Sequence, residues 1–172
     1  MKEGEDVSKK ELVLKAKEGD VDAFCSLYSE IKKELYRYAY YKLGNSHDAE
    51  DAVSDCVVSA FEQISNLRKP EYFNAWIFKI LSNKCSYYIK HQIFQRENEN
   101  IEDVKNLQIE DNYHTEVCEA LEKLNPKEKE LVLLSAVAGF NSKEIANILG
   151  MTSGGVRSKL SRSLKKMRKF LE

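Results

Sequence analysis

Apolar residues recur at three- and four-residue intervals through most of the chain, the spacing of one face of an α-helix. No stretch shows the two-residue alternation of a half-buried strand, and no internal repeat stands out. The first run, "SKKELVLKAKEGD", stops near Gly19. Asp20 then offers an oxygen to cap a second helix through "AFCSLYSEIKKELYRYAYYKLG", which Gly44 ends. "NSHDAEDAVSDCVVSAFEQI" forms a third helix, and "EYFNAWIFKILSNKCSYYIKHQ" a fourth after a break at Lys69-Pro70. "RENENIEDVKNLQIEDNYH" is polar and acidic, with no strong apolar stripe, and reads as a linker. Past it, "NPKEKELVLLSAVAG" opens with three concordant start signals: Asn125 as cap, Pro126 at the first helical position and Glu128 at the third. "NSKEIANILG" repeats that logic with Asn141, Glu144 and a closing Gly150, and Thr152 caps a final run. The pattern predicts an all-α protein of two helical domains, residues 8–94 and 115–172, joined by a flexible acidic linker over 95–114. A helix, a tight glycine turn and a longer helix form the helix-turn-helix arrangement.

Winding the final run at about 100° per residue puts Val156, Leu160, Leu164, Met167 and Leu171 in a stripe roughly 80° wide. Arg157, Lys159, Arg162, Lys165, Lys166, Arg168 and Lys169 fall outside it, with no acid before Glu172. One face packs and the other meets phosphate. Gly154 and Gly155 are poor helix formers at the start of this run, each costing about 1 kcal/mol relative to alanine. In a helix-turn-helix that end enters the major groove, and residues without side chains let backbone amides approach DNA. Ser153, Arg157 and Ser158 lie early enough to reach base edges, while Arg162, Lys165 and Lys166 suit phosphates. Thr152 and Lys159 complete this candidate DNA-binding set. The bland alternative is a frayed turn feeding a basic surface helix.

The third helix divides differently. Val53, Val57, Ala60, Phe61 and Ile64 share one face; Asp48, Asp51, Asp55 and Glu62 share the other, with Val58 at its rim. Asp51 and Asp55 form a like-charge pair one turn apart, which is mildly destabilising. Either this face is simply solvated or it docks a basic partner. On the fourth helix Phe73, Trp76, Ile77, Ile80 and Leu81 form the expected buried stripe. Lys79, Ser82, Asn83, Ser86 and Lys90 share the other face with Tyr87 at one edge, a set suited to single-stranded DNA. Tyr36, Tyr38, Tyr40 and Tyr41 surround their helix and read as core and interface filler.

Composition narrows the classes. Lys plus Arg is 27 and Asp plus Glu is 28, a net charge of −1, which is unusual for a protein that binds DNA unaided. The four cysteines, Cys25, Cys56, Cys85 and Cys118, are too scattered for a zinc motif and read as small hydrophobes. No phosphate loop, nucleophile motif or catalytic acid pair is present, so neither an enzyme nor a cofactor is expected. His47-Asp48 beside Glu50-Asp51 looks metal-like, but neighbouring positions point to different helix faces, and no metal is expected. No apolar run approaches the roughly 18 residues of a membrane span, and "MKEGEDVSKKE" is neither signal peptide nor anchor, so the expected compartment is the cytoplasm.

These residues together resemble the extracytoplasmic-function (ECF) branch of the sigma-70 family of bacterial RNA polymerase sigma factors. The likeness covers nearly the whole chain. "DAFCSLYSEIKKELYRYAYYKLGNSHDAEDAVSDCVVSAFEQI" is similar to the family's regions 2.1 and 2.2. "FNAWIFKILSNKCSYYIKH" is similar to regions 2.3 and 2.4, with the F-x-A-W-x-x-x-I-x-x-N skeleton at Phe73, Ala75, Trp76, Ile80 and Asn83. "LNPKEKELVLLSAVAGFNSKEIANILGMTSGGVRSKLSRSLKKMR" is similar to region 4. The resemblance implies docking of Asp48, Asp51 and Asp55 on the β′ clamp helices of core polymerase. It also implies recognition and melting of the −10 element by the helix bearing Asn83, and reading of the −35 element by the helix-turn-helix. The β flap and an anti-sigma factor are further implied partners. The sequence departs from the family where Ser54-Asp55 replaces Gln-Glu, where Val57 replaces an aromatic, and where Gly155 stands in place of Thr. A subunit carried to DNA by polymerase need not supply all the phosphate affinity, which accounts for the near-neutral charge. The competing reading is a stand-alone helix-turn-helix regulator with an N-terminal sensing or dimerisation domain; a metal-dependent hydrolase using His47 is a distant third.

Overall fold

A computed structural model describes residues 2–99 and 112–172, and among these it contains helices and no strand. The helices are α1 (Lys2–Lys17), α2 (Val21–Leu43), α3 (Ser46–Gln63), α4 (Phe73–Glu99), α5 (Asn112–Glu122), α6 (Pro126–Ala136), α7 (Ser142–Leu149) and α8 (Ser153–Leu171). Two single 3₁₀ turns, Ile64–Asn66 and Pro70–Tyr72, bridge α3 to α4.

The turns form because helix ends need partners for their free amides and carbonyls. Asp20 accepts from the Ala23 amide at 3.1 Å and Asn45 from the Asp48 amide at 2.8 Å. Asn125 and Asn141 each complete a capping box, with Glu128 and Glu144 reaching back to the cap amides. Gly44 and Gly150 close α2 and α7 in the left-handed region, at φ 80° and 65°.

The N-terminal module packs α2 between α1, α3 and α4. Phe24 stands edge-on to Phe61 (5.3 Å) and Phe73 (6.5 Å), and Tyr38 edge-on to Phe78 (5.7 Å). In the C-terminal module α8 lies across α5, α6 and α7. The two modules touch through α2–α6 and α4–α7.

Four expectations change in detail. The fourth helix begins at Phe73, after the Pro70–Tyr72 turn, and runs to Glu99, into the segment expected as linker; no Gly or Pro interrupts it there. The C-terminal module begins with α5 at Asn112. Residues 100–111 of the expected linker lie outside the described residues. On α3 the buried set is Ala49, Ala52, Val53, Cys56 and Ala60, with Ile64 buried in the 3₁₀ turn that follows, while Val57 is half-buried and Phe61 lies at the surface; α2 and α4 grip the helix from two sides, where small side chains permit close approach. On α4, Phe78 and Cys85 are buried, whereas Trp76 and Ile80 are only half-buried. Phe78 owes this to Phe140 of the other module, 5.2 Å away and edge-on, a neighbour that periodicity within one helix does not reveal.

Burial also sorts the thiols. Cys25 is exposed and Cys118 half-buried, while Cys56 and Cys85 are fully enclosed and burial pushes their thiols up to about 12. A thiol reagent at neutral pH therefore modifies Cys25 first and leaves Cys56 and Cys85 untouched until denaturant is added. Peptide mapping that found either buried cysteine labelled as fast as Cys25 would contradict this packing.

Candidate protein and nucleic-acid interfaces

The acidic face of α3 is only partly free. Asp51, Asp55, Val58 and Glu62 are exposed. Asp48 is three-quarters buried: its carboxylate accepts from the Asn45 amide group at 2.9 Å and from Gln92 of α4. Asp55 accepts from the Tyr88 hydroxyl at 2.8 Å. Desolvation and this carboxylate together hold the Tyr88 phenol well above its usual value. Asp48 and Asp55 thus brace α3 against α4, and the outward charge rests on Asp51 and Glu62 beside the apolar Val58. His47 folds back along the helix so that its Nδ1 lies 3.2 Å from Asp51, which relieves the Asp51–Asp55 repulsion when the imidazole is protonated. Ligand atoms of His47, Asp48 and Asp51 therefore come within 4.8 Å of one another, contrary to the expectation that they diverge. The i,i+4 spacing of His47 and Asp51 explains it, and ion pairing and hydrogen bonding already engage all three.

On α4, Lys79, Asn83, Ser86 and Lys90 are exposed as expected. Ser82 is not: it is 8 % exposed, and its hydroxyl donates to Glu130 of α6. The C-terminal module covers this one edge of the face and leaves the rest open. Its open flank is a groove shared with α3, where Asp55, Ser59 and Gln63 oppose Ile80, Asn83 and Tyr87. Tyr87 is 64 % exposed and stacks on His91, 6.2 Å between ring centres. Ser59 and Gln63 escape a reading of α4 alone, because they reach the groove from the neighbouring helix. Amides, hydroxyls and an exposed ring in one groove suit an unstacked base. Of the four tyrosines around α2, Tyr38 is fully buried and Tyr36 stacks on Tyr40 at 6.1 Å, as core and filler.

The α7–α8 pair forms the expected helix-turn-helix. Gly150 turns the chain, the Met151 amide bonds to the Ala146 carbonyl at 2.9 Å, and Thr152 accepts from the Gly155 amide at 3.1 Å. Val156 is buried at the root of α8, with Leu160, Ser163 and Met167 along the same seam. Leu164 and Leu171 are about half exposed, contrary to the stripe expected from winding alone. Ser163 replaces them because a small side chain fits where α8 crosses α6, and its hydroxyl is satisfied by the Lys159 carbonyl at 2.8 Å. Arg157, Ser158, Lys159, Arg162, Lys165 and Lys166 are exposed, Thr152 and Gly154 lie open at the tip, and Ser153 and Gly155 are partly covered. Lys166 also pairs with Glu128 at 3.1 Å.

The two glycines of the first turn have different reasons. A Cβ at Gly155 would lie 3.0 Å from Thr152 Oγ1, against the cap itself. At Gly154 the nearest neighbour would be the Arg157 guanidinium at 3.9 Å. A Cβ at 155 would press on the cap hydroxyl, whereas one at 154 would meet nearly open space.

Two stacked helical modules, one bearing an acid-tipped helix pair and the other a basic helix-turn-helix, define a transcription-initiation architecture. The family model for sigma-70 region 2 matches residues 27–93 and that for sigma-70 region 4 matches 115–167. The RNA polymerase sigma factor SigV of Bacillus subtilis is 31 % identical over 140 residues, covering 80 % of this chain and 84 % of SigV. The ECF RNA polymerase sigma factor BldN of Streptomyces coelicolor is 28 % identical over 171 residues, 94 % of this chain, which spans 65 % of BldN's length. The solved structure of CnrH in complex with the cytosolic domain of CnrY shares the fold, with a TM-score of 0.75 at 24 % identity over 95 % of this chain and 97 % of CnrH. This chain belongs to the sigma-70 family of RNA polymerase sigma factors, in its ECF branch.

The first turn of α8 yields a direct test. Gly154→Ala raises stability by about 0.5–1 kcal/mol in urea unfolding, the usual gain at an unstrained helical glycine. Gly155→Ala gains less or destabilises, because the new methyl presses on the cap. Equal gains at both positions would show that the cap tolerates a Cβ and remove this reason for Gly155.

Proposed function

We propose that the chain is an alternative sigma factor that binds core RNA polymerase and directs it to promoters bearing −35 and −10 elements. The observation that carries this reading is the pairing, in one chain and in family order, of an outward acidic patch on α3 with an outward basic face on a helix-turn-helix. Residues 8–94 serve as the polymerase-docking and −10 module, and residues 115–172 as the −35 module. Asp51 and Glu62, with Val58 between them, meet the β′ clamp helices, while Asp48 and Asp55 keep α3 in register beneath them. The groove between α3 and α4, with Asn83, Ser86 and Tyr87 on its α4 side, receives an unpaired −10 base, and Lys79 and Lys90 hold the adjoining phosphates. On α8, Ser153, Arg157 and Ser158 read the −35 major groove past the bare backbone of Gly154 and Gly155, with Thr152 at the tip. Lys159, Arg162, Lys165 and Lys166 hold its phosphates. The module also meets the β flap.

A chain of this kind acts as an initiation factor in the cytoplasm rather than as an enzyme. Among the described residues no helix is long and apolar enough to cross a membrane. CnrH is held by a cytosolic partner domain, and the shared fold supports an anti-sigma partner here. The outward acidic patch on α3 favours this reading over the stand-alone regulator.

Three measurements check this reading. Run-off transcription with core polymerase on a promoter library yields discrete start sites that depend on the chain. Asp51→Arg with Glu62→Arg abolishes co-purification with core polymerase while helical content stays unchanged; retained binding would remove the acidic patch from the interface. Arg162→Ala weakens promoter binding and lowers the slope of log affinity against log salt by about one unit, and an unchanged slope would exclude it from the phosphate contacts.

A further inference from the structure

The face of α4 that lines the groove continues past it. At about 100° per residue, Tyr87, His91 and Phe94 fall within about 60° of one another, in line with Ile80 and Asn83 of the groove wall. Lys84 flanks this stripe on one edge and Lys90 on the other. Tyr88 and Gln92 turn away from it, towards Asp55 and Asp48 of α3. Tyr87 and Phe94 are each 64 % exposed, and Lys90 and His91 are exposed beside them. The Tyr87 and His91 rings lie 29° from parallel with centres 6.2 Å apart. Tyr88, tied to Asp55, meets the Tyr87 ring edge-on at 5.8 Å. The sigma-70 region 2 match ends at residue 93, so Phe94 lies beyond it.

Charge and shape identify what such a face takes. The helix carries no acid from Phe73 to Arg96. Rings bordered by ammonium groups suit a polyanion that also offers flat π-surfaces, which is the chemistry of a single nucleic-acid strand. A duplex hides its base faces by stacking them on one another and would leave the rings unused. A wholly apolar partner would strip water from Lys84 and Lys90 without replacing it. The spacing fits as well. From Tyr87 to Phe94 the helix rises about 10 Å, the length of roughly three bases stacked at about 3.4 Å. Because the stripe begins at Tyr87, inside the groove, a strand leaving the groove runs onto it without a break.

We propose that Tyr87, His91 and Phe94, flanked by Lys84 and Lys90, form a stacking stripe that takes successive bases of a single DNA strand as it leaves the α3–α4 groove. Its use in promoter opening rests on the sigma-factor reading; the binding itself does not. Fluorescence anisotropy of a labelled thymidine strand of about 12 nucleotides, titrated with the full chain, tests the binding. Phe94→Ala weakens it about tenfold, the usual scale for one lost base stack. Phe94→Leu, apolar but without a ring, does the same, and Phe94→Trp keeps the wild-type affinity or tightens it. A strand of equal length made of abasic sites binds all four forms alike, because the lysines and α8 hold its phosphates in each. Lys90→Gln weakens both strands equally and lowers the slope of log affinity against log salt by about 0.7. Wild-type affinity in Phe94→Leu, or a Phe94→Ala loss that is equal on the abasic strand, overturns the stripe. Thymidine-strand binding indifferent to every substitution also overturns it and leaves the face to a protein partner. Open-complex lifetime with core polymerase tests the promoter role: Phe94→Ala shortens it about tenfold. An unchanged lifetime beside lost strand affinity overturns that role. Failure of every form to initiate transcription overturns the sigma-factor reading, while the strand result stands.

Discussion

Capping of helix ends is the constraint on which the rest of this molecule depends. An all-helical chain has no strand ladder to absorb the free amides of each helix start, so side chains must do it. Asp20, Asn45, Asn125, Asn141 and Thr152 each supply one oxygen, and each sets where a turn falls. Because the turns are short, an error of one residue would rotate the following helix by about 100° and carry its functional face with it. The Thr152 cap therefore decides which side of α8 faces outward, and the Asn45 cap decides the same for the acids of α3.

Charge is used economically. Of the acids on α3, two are spent inside the module. Asp48 and Asp55 accept from Gln92 and Tyr88 and lock α3 to α4, so that an acidic helix in isolation becomes one wall of a groove. The remaining acids are left to a partner. On α8 the basic residues lie at the surface, Lys166 paired with Glu128 of α6, while the seam is apolar except for Ser163. The near-zero total thus conceals a local acidic patch on α3 and a local basic face on α8.

Much of this was legible in the sequence. Helix existence, four of the five caps, the closing glycines and the helix-turn-helix follow from residue types at fixed offsets, which are local facts; the Asn45 cap came only with the structure. What escaped was set by neighbours distant in sequence. Phe78 reads as a peripheral residue until Phe140 covers it, and Ser82 reads as a DNA contact until Glu130 reaches it. Leu164 reads as core and Ser163 as surface until the close crossing of α6 and α8 exchanges them. Ser59 and Gln63 belong to the α4 groove only because α3 lies alongside. His47 reads as diverging from its acids until the side chain folds back along its own helix.

The tie between Lys166 and Glu128 has an effect on recognition. Glu128 completes the cap of α6 and also holds the Lys166 ammonium at 3.1 Å, so in the −35 role proposed above Lys166 would meet nucleic acid already carrying an anion that is part of its own polypeptide. Seating it on a DNA oxygen is an exchange of one negative partner for another rather than the neutralisation of a bare cation. In that exchange the carboxylate would stay on the α6 cap as a fixed negative charge beside the displaced ammonium.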